Sequence, residues 1–397
     1  MRLQKIIICQ ILAIALLAIG GLTLTAGSKS QTKRGRKRSK SLSKIEVFEQ
    51  KLLYKKINHA ASGLISNKQI VTTIPKSPKR IIAFGCADHL YFLGYSPVAE
   101  ASSWDFYPKT NYLRPYNKSN FTGHVGGVYG SRIPNPESAM TFKPDLIVGN
   151  QFSSYHYRQL NLVAPTILLP HYKKYREELL LIDFGKILGC EDKAIRAAVW
   201  FSKKIKLVKR ALEKYYPQGA KVSVLWFTSR RIRVCNKHYI YERLGLKPVV
   251  KIPWIGVHPV GSGIFYMDPE QLAKLNADHI FAVSLYDRQK FFAARIEDLT
   301  IWKSIPAVRN NSVTKVNVGH WISGGPLGRS IMLNELVNVM LKPKQISDEL
   351  KIMLKDRPNE QDLQKISDAE IDELKRLLDY SCEGTSRNYK SAGGVSK

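Results

Sequence analysis

The sequence predicts an α/β protein of two similar lobes joined by one long helix, and three observations carry that prediction. Strands and helices alternate along most of the 397 residues, the pattern of layered α/β folds. A single amphipathic stretch, from about Asp192 to Tyr216, divides the alternation into two halves. One segment also occurs twice. Asn135–Val148 (NPESAMTFKPDLIV) and Asp268–Phe281 (DPEQLAKLNADHIF) coincide when shifted by 133 positions, with Pro on Pro, Glu137 on Glu270, Asp145 on Asp278 and Ile147 on Ile280. In each copy Asn or Asp is placed to cap a short helix, Pro opens it, and Glu occupies the first turn, where the helix dipole favours an anion. A strand follows.

The elements read in order as follows. Ile45–Lys76 forms an edge hairpin or arm leading into the first lobe. Arg80–Phe84 (RIIAF) is a strand, and Ala87–Leu93 a short helix stopped at Gly94. Another strand starts at Pro97–Ala99. Strands at Asp145–Gly149 and Thr166–Leu169 flank a helix near Tyr155–Leu162. In the long stretch, Ile195, Val199, Ser202, Ile205, Val208, Leu212 and Tyr215 recur at helical spacing, until Pro217 and Gly219 stop it. Lys221–Phe227 (KVSVLWF) is a strand, Tyr239–Leu244 a helix before Gly245, and Asp278–Val283 a strand. A helix over Ala293–Leu299, a strand over Ser312–Val318 and a helix over Leu327–Met340 complete the second half. Ser367-x-x-Glu370 is a capping box before Ile371, Leu374, Leu377 and Leu378, and Ser381–Lys397 has the composition of a disordered tail. The expected fold is two Rossmann-like α/β lobes joined by one long α-helix. Its parts are a signal peptide or anchor (1–27), a basic linker and N-terminal arm (28–75), a first lobe (76–190), the linking helix (191–217), a second lobe (218–345) and a helical, then disordered, extension (346–397).

Composition narrows the function classes. Hydrophobic residues make up 44% of the chain, enough for sizeable cores, and the net charge is +30. That charge fits a solvated basic surface, an anionic ligand, an anionic membrane or wall surface, or nucleic acid. Arg2 and Lys5 precede an apolar run from Ile6 to about Ala26, which reads as a signal peptide or uncleaved anchor. Cys9 lies too early in that run for a lipid-attachment site. Ser28–Lys44 (SKSQTKRGRKRSKSLSK) is strongly basic, which favours a cleaved signal or a stalk resting on anionic lipid or wall polymer. Cysteine is sparse and no CxxC or Cys/His zinc spacing occurs. There is no GxSxG, no phosphate-binding P-loop and no HExxH, so no enzyme is expected. Gly324-Gly325-Pro326 lacks the Lys-Ser/Thr of a phosphate loop and reads as a plain turn.

Four segments, in order, resemble the substrate-binding proteins of iron–siderophore and cobalamin ABC transporters, the helical-backbone class of periplasmic binding proteins. They are Pro75–Ile82 (PKSPKRII) with Leu93-Gly94, then Asn135-Pro136-Glu137 through Lys143-Pro144-Asp145-Leu146-Ile147, then Leu244-Gly245-Leu246. The last is Trp302–Val313 (WKSIPAVRNNSV), with Trp321 following. The resemblance spans about Lys76 to Leu341. It implies a ligand cleft between the lobes and a carboxylate on each lobe, Glu137 and Glu270, docking on basic residues of the permease. Walls are then expected from Ser102–Phe106, Gln151–Tyr157, Thr228–Arg233 and Ser284–Arg288, with Gly319–Trp321 closing the side.

The candidate ligand-binding residues are Trp104, Tyr155, His156, Arg230, Arg231, Arg233, Tyr286, Arg288, His320 and Trp321. Arginine suits anionic oxygens through its planar donor fork, and the aromatics suit an organic scaffold or a cation. The ligand expected is an Fe(III)–siderophore, with no cofactor and no direct metal ligand. The expected protein is an exported monomer at the periplasm or outer face of the cytoplasmic membrane. Its partners are an ABC permease and, through the N-terminal segment, the membrane surface, with no nucleic acid. Cobalamin or haem on the same scaffold, and a membrane-tethered polyanion binder, are the alternative readings.

Overall fold

Two sheets form, one wholly parallel and one with as many antiparallel as parallel pairings, and the predicted strands are distributed between them. The computed structural model describes residues 54–60, 69–101, 111–117, 134–149, 156–169, 177–228, 231–235, 238–250, 257–261, 264–284, 295–322 and 324–378. Gln50–Lys397 form one unit by their contacts; the other unit, Met1–Glu49, lies outside the described residues, as do the predicted signal segment, the basic stretch and the tail from 379. The expected arm is a hairpin of β1 (Tyr54–Ala60) and β2 (Gln69–Pro75), antiparallel with Tyr54 opposite Pro75.

The first sheet contains β3 (Ile81–Phe84), β4 (Ala99–Ala101), β5 (Leu146–Gly149) and β6 (Thr166–Leu168), in the order β4-β3-β5-β6 and all parallel. Its crossovers carry α1 (Ala87–Phe92), α2 (Pro136–Thr141) and α3 (Tyr157–Val163). β4 begins two residues later than Pro97 suggests. Proline has no N–H for the ladder, and pairing starts with Val98 N donating to Ile81 O at 2.8 Å.

Two helices follow. α4 (Glu177–Leu188) is absent from the sequence reading, because its four consecutive apolar residues, Leu179–Ile182, blur the helical period. α5 (Glu191–Tyr215) is the predicted linking helix; its 25 residues span about 38 Å at 1.5 Å per residue. The pair packs closely at Gly185, where a Cβ would fall 2.4 Å from Ala194 Cβ.

The second sheet is built on β7 (Lys221–Phe227), β8 (Ile232–Cys235), β9 (Lys247–Pro248), β10 (Val257–Gly261), β11 (Ile264–Met267), β12 (His279–Ser284) and β13 (Val313–Asn317), with α6 (Tyr239–Leu244) between β8 and β9. Its order is β10-β11-β8-β7-β12-β13, with β9 also on β7. β7, β12 and β13 are parallel, whereas β8, β11 and β10 extend the sheet antiparallel. The segment from β12 to β13 holds α7 (Thr300–Lys303) and α8 (Pro306–Arg309), and of the helix expected over Ala293–Leu299 the described part is one turn at 295–297. After β13 come α9 (Val318–Ile322), α10 (Pro326–Met340), α11 (Asp348–Met353), α12 (Glu360–Gln364) and α13 over residues 368–378. The capping box at the start of α13 forms: Ser367 N donates to Glu370 Oε2 at 2.9 Å and Glu370 N to Ser367 Oγ at 3.4 Å.

The internal repeat is structural. Asp145 N donates to Arg80 O at 3.0 Å, and its Oδ1 accepts from Arg80 N at 2.9 Å. Asp278 does the same to Lys221, at 2.7 Å and 2.8 Å. Each aspartate thus joins the start of its own strand, β5 or β12, to the start of the neighbouring strand, β3 or β7. The second copy departs in one respect: Pro269–Lys274 is a 3-10 turn, and Asp268 makes no side-chain cap where Asn135 accepts from Ser138 N at 3.1 Å.

One apolar core runs through both lobes. It contains Ile81 and Ala83 of β3, Trp200, Phe201, Ile205 and Val208 of α5, Val222 and Val224 of β7, Phe281 and Val283 of β12, and most of α10. The opposite face of the first sheet packs Ile82, Phe84 and Ile147 on Ala139 and Leu160, and the opposite face of the second packs Leu225, Phe227 and Ile280 on Trp302. Closure between the lobes must therefore shear a shared core rather than bend a bare linker.

Candidate functional site

The carboxyl ends of β3, β4, β5 and β6, and those of β7, β12 and β13, are where α/β sheets receive ligands. Several predicted wall residues there, Trp104, Tyr155, Arg230, Tyr286 and Arg288, lie outside the described residues. The described parts form a floor and one wall.

The floor joins the lobes. Asp88, in the first turn of α1, is buried and reaches the N-terminus of α10. Its Oδ1 accepts from Leu327 N at 2.8 Å and its Oδ2 from Gly328 N at 2.9 Å, while Tyr112 Oη donates to Oδ2 at 2.6 Å. Gly325 admits this approach, since a Cβ there would lie 2.6 Å from Asp88 Oδ1. The Gly324-Gly325-Pro326 sequence is therefore more than a plain turn: it opens a helix whose free N–H groups, elsewhere an anion site, are taken by the protein's own carboxylate. Burial and the neighbouring Asp88 charge raise the Tyr112 pKa well above its ordinary value, so it stays a donor.

Behind Asp88 lies a buried charge cluster. Glu177 and Glu178, adjacent at the start of α4, meet Arg329 of α10 (Nε to Glu177 Oε1, 3.8 Å) and Arg243 of α6, which donates to Glu178. Burial pushes the Glu177 carboxyl up to about 7, opposed by Arg329. Trp321 O accepts from Arg329 Nη1 at 3.0 Å and from His238 Nε2 at 2.8 Å. Burial first, then Arg329, hold the His238 pKa down at about 3, which keeps that ring neutral.

Two predicted ligand residues belong to this interior. Trp321 is fully buried, stacked on Phe281 at 4.4 Å between ring centroids, with Nε1 donating to Glu335 at 2.6 Å. It serves as core and offers no open face, contrary to the expectation that it closes the cleft. His320 is likewise buried, its Nε2 donating to Glu335 at 2.9 Å. An aromatic pair after a strand reads the same in sequence whether it packs inward or lines a cleft.

The wall is on the second sheet. Trp226 of β7, Arg233 of β8 and Tyr266 of β11 lie directly opposite one another, so their side chains share one face. The Arg233 guanidinium carbon is 4.8 Å from the Trp226 ring centroid and 5.4 Å from that of Tyr266, and Nη2 donates to Tyr266 Oη at 3.3 Å. Arg231, exposed in the turn before β8, stacks on Tyr266 at 4.5 Å. Trp226 Nε1 and Arg233 Nε are buried without a hydrogen-bond partner among the described residues. Of the predicted residues the structure thus brings together Arg231 and Arg233, and it adds Trp226 and Tyr266, whose strand pairing no local pattern reveals. His156 is placed on the other lobe at the start of α3, just beyond β5, half-buried, with Nδ1 3.0 Å from Gln159 Oε1.

Glu137 and Glu270 are both exposed, each one residue after the Pro that opens its helical turn, and neither has an ion-pair partner among the described residues. No cluster of His, Cys, Asp or Glu able to hold a metal occurs among the described residues. Cys86, after β3, is buried, and burial pushes its thiol up to about 12, so it is unreactive. A cavity of about 200 Å³ between Leu212, Tyr216, Leu244 and Lys247 opens at the N-terminal edge of β7, the edge away from the wall.

Residues 107–316 match the family model described as periplasmic binding protein. The chain belongs to that family. This periplasmic binding protein is 27% identical over 286 residues to the probable siderophore-binding lipoprotein YfiY of Bacillus subtilis (strain 168), a match covering 68% of this chain and 85% of that one. It is 26% identical over 252 residues to the iron(3+)-hydroxamate-binding protein FhuD of the same organism, covering 62% and 75%. Among solved structures, Staphylococcus aureus SirA complexed with staphyloferrin B superposes with a TM-score of 0.57 at 26% identity, covering 72% of this chain and 98% of that one. The petrobactin-binding protein YclQ of Bacillus subtilis, at 21% identity and TM-score 0.58, shares the two-lobed fold.

Proposed function

We propose that the protein captures a ferric siderophore between its lobes and delivers it to the permease of an ABC importer, without catalysing a reaction. The observation that carries this reading is the Trp226–Arg233–Tyr266 row with Arg231 stacked on its end. Stacking on rings holds two guanidiniums in place while leaving N–H edges for ligand oxygens. Such a surface suits an anionic complex with an organic scaffold, and the siderophore-binding relatives support that ligand class. His156, and from the sequence Trp104, Tyr155, Arg230, Tyr286 and Arg288, are the further ligand contacts proposed. Glu137 and Glu270 are the proposed docking contacts, one per lobe, with charge-assisted bonds to permease cations fixing orientation. Export by the N-terminal segment would place the protein at the outer face of the membrane.

The test is a tryptophan-fluorescence titration of purified protein with ferric hydroxamate, catecholate and carboxylate siderophores, haem and cobalamin. At least one ferric siderophore is expected to quench or shift the emission. Arg233→Met is expected to weaken that ligand about 10-fold or more, the loss of one charge-assisted contact. Silence toward every ferric complex would overturn the ligand class.

A further inference from the structure

The segment beyond α10 is acidic in a basic protein. Residues 348–378 hold nine Asp or Glu against six Lys or Arg, whereas the whole chain carries +30. Their acids fall on the basic side of α5. Lys193 meets Glu360 at 2.7 Å, Arg196 meets Asp368 at 3.9 Å, Lys203 meets Glu370 at 3.3 Å and Glu349 at 3.5 Å, and Lys206 meets Glu373 at 2.6 Å. Partner numbers on α13 rise with those on α5, so α13 lies alongside α5 in the same direction. Leu350, Met353, Leu363, Ile366, Ile371, Leu374 and Leu378 join the core that α5 shares with both lobes. These ion pairs are partly exposed and individually weak; the apolar seam supplies the adhesion and the charges its register.

The turn at 355–357 binds more than α5. Lys204 of α5 is fully buried, and its Nζ donates to Lys355 O at 2.7 Å, Asn334 Oδ1 at 2.6 Å and Ser330 Oγ at 2.8 Å, with Ser330 O at 3.1 Å. Asp356 accepts from Asn334 Nδ2 at 2.9 Å and from Tyr116 Oη of the first lobe. Arg357 donates to Tyr91 O, at the end of α1, and its guanidinium carbon lies 5.7 Å from the Tyr116 ring centroid. One turn therefore grips α5, α10, α1 and the 111–117 segment together. The chain passes between the lobes at α5, and again where α9 leads from β13 into α10, whose first turn is held by Asp88. A hinge made of two crossings can bend only if the crossings slide past each other.

We propose that residues 346–378 are a clasp that locks these two crossings together, fixing the angle between the lobes and presetting the Tyr112–Asp88 floor before ligand arrives. The family model ends at residue 316, so the clasp lies beyond the segment that it matches. Its effect on affinity rests on the siderophore-binding reading; its effect on the lobes does not.

The experiment compares the full chain with Asp356→Ala/Arg357→Ala, which cuts the tether to α1 and Tyr116 while leaving the helical seam, and with a chain ending at Gln345. Amide hydrogen exchange in the ligand-free protein is the first readout. Exchange in α1 and residues 111–117 is expected to accelerate at least 10-fold in the double variant, with the β7 and β12 amides unchanged. Unchanged exchange in α1 and 111–117 would overturn the clasp, whether or not the shortened chain folds. The second readout is titration with the ferric siderophore that quenches the full chain, expected to bind about 10-fold more weakly to the double variant. Faster exchange with undiminished affinity would overturn the presetting of the floor. If no siderophore binds the full chain, the ligand reading fails while the exchange result still decides the clasp.

Discussion

Asp88→Ala probes the joint between the lobes directly. The carboxylate serves three donors, Leu327 N, Gly328 N and Tyr112 Oη, at 2.6–2.9 Å, inside a buried setting. Removing it leaves two main-chain N–H groups at the head of α10 without an acceptor, each costing about 1–3 kcal/mol. It also removes a negative charge from the positive end of a 15-residue helix, worth about 0.3–2 kcal/mol. Water admitted beside the half-buried Tyr112 offsets part of this, so the expected loss is about 3–4 kcal/mol. Asp88→Asn keeps the shape but turns one oxygen into a donor facing an N–H, and about 2 kcal/mol is expected. The assay is urea unfolding followed by fluorescence and circular dichroism together. A cycle with Gly325→Ala sharpens it, because the added Cβ would meet Asp88 Oδ1 at 2.6 Å and His89 Cε1 at 2.8 Å. Alanine there should destabilise the wild type by more than it destabilises the Asp88→Ala protein, a coupling of about 1 kcal/mol or more for groups in contact. A loss below about 1 kcal/mol for Asp88→Ala, or strict additivity with Gly325→Ala, would refute the claim that this carboxylate holds α10 to the first lobe.

Two further outcomes follow from the floor and the lobe tips. Glu177 has a folded pKa of about 7 against an ordinary 4.5, so the folded state prefers its protonated form. Stability from this group is intact below about pH 4.5 and is lost as pH rises to 7 and beyond, by up to about 3 kcal/mol at 1.36 kcal/mol per unit. The difference between wild type and Glu177→Gln in denaturant titrations should grow across that window, and a constant difference would contradict it. Glu137→Lys with Glu270→Lys should leave ligand affinity unchanged and abolish uptake in cells or proteoliposomes; normal transport would show that these carboxylates only favour their own helix starts.

Sequence revealed whatever is local. Asp145 and Asp278 repeat because each ties one strand start to another by the same pair of hydrogen bonds, and a 133-residue shift exposes that. α5 showed because Ile195, Val199, Ser202, Ile205, Val208, Leu212 and Tyr215 keep a helical period; the face it buries also takes in Ala194, Ala198 and Phe201. β8 and β11 did not show, because four-residue strands carrying Arg233 and Tyr266 resemble loops until the pairing of β8 with β7, and of β11 with β8, is known. The Asp88 contacts with Leu327 and Gly328 span 239 and 240 positions, and nothing near either end announces the other.

The two arginines and the tryptophan at the predicted cleft show why composition is a poor guide to role. Arg231, Arg233 and Arg329 are chemically alike, yet Arg231 and Arg233 stack on the half-buried rings of Tyr266 and Trp226, while Arg329 is enclosed with Glu177 and Trp321 O. What separates them is desolvation. A guanidinium with an open edge can exchange water for ligand oxygens at little cost, whereas one already ion-paired with a buried carboxylate would have to break that pair first, a loss of about 3–5 kcal/mol. Trp226 and Trp321 divide the same way: the Trp321 Nε1 is spent on Glu335, and the Trp226 Nε1 has no partner among the described residues. The proposed ligand site therefore rests on the Trp226–Arg233–Tyr266 row, with Arg231 stacked on its end, rather than on the number of arginines in the loop.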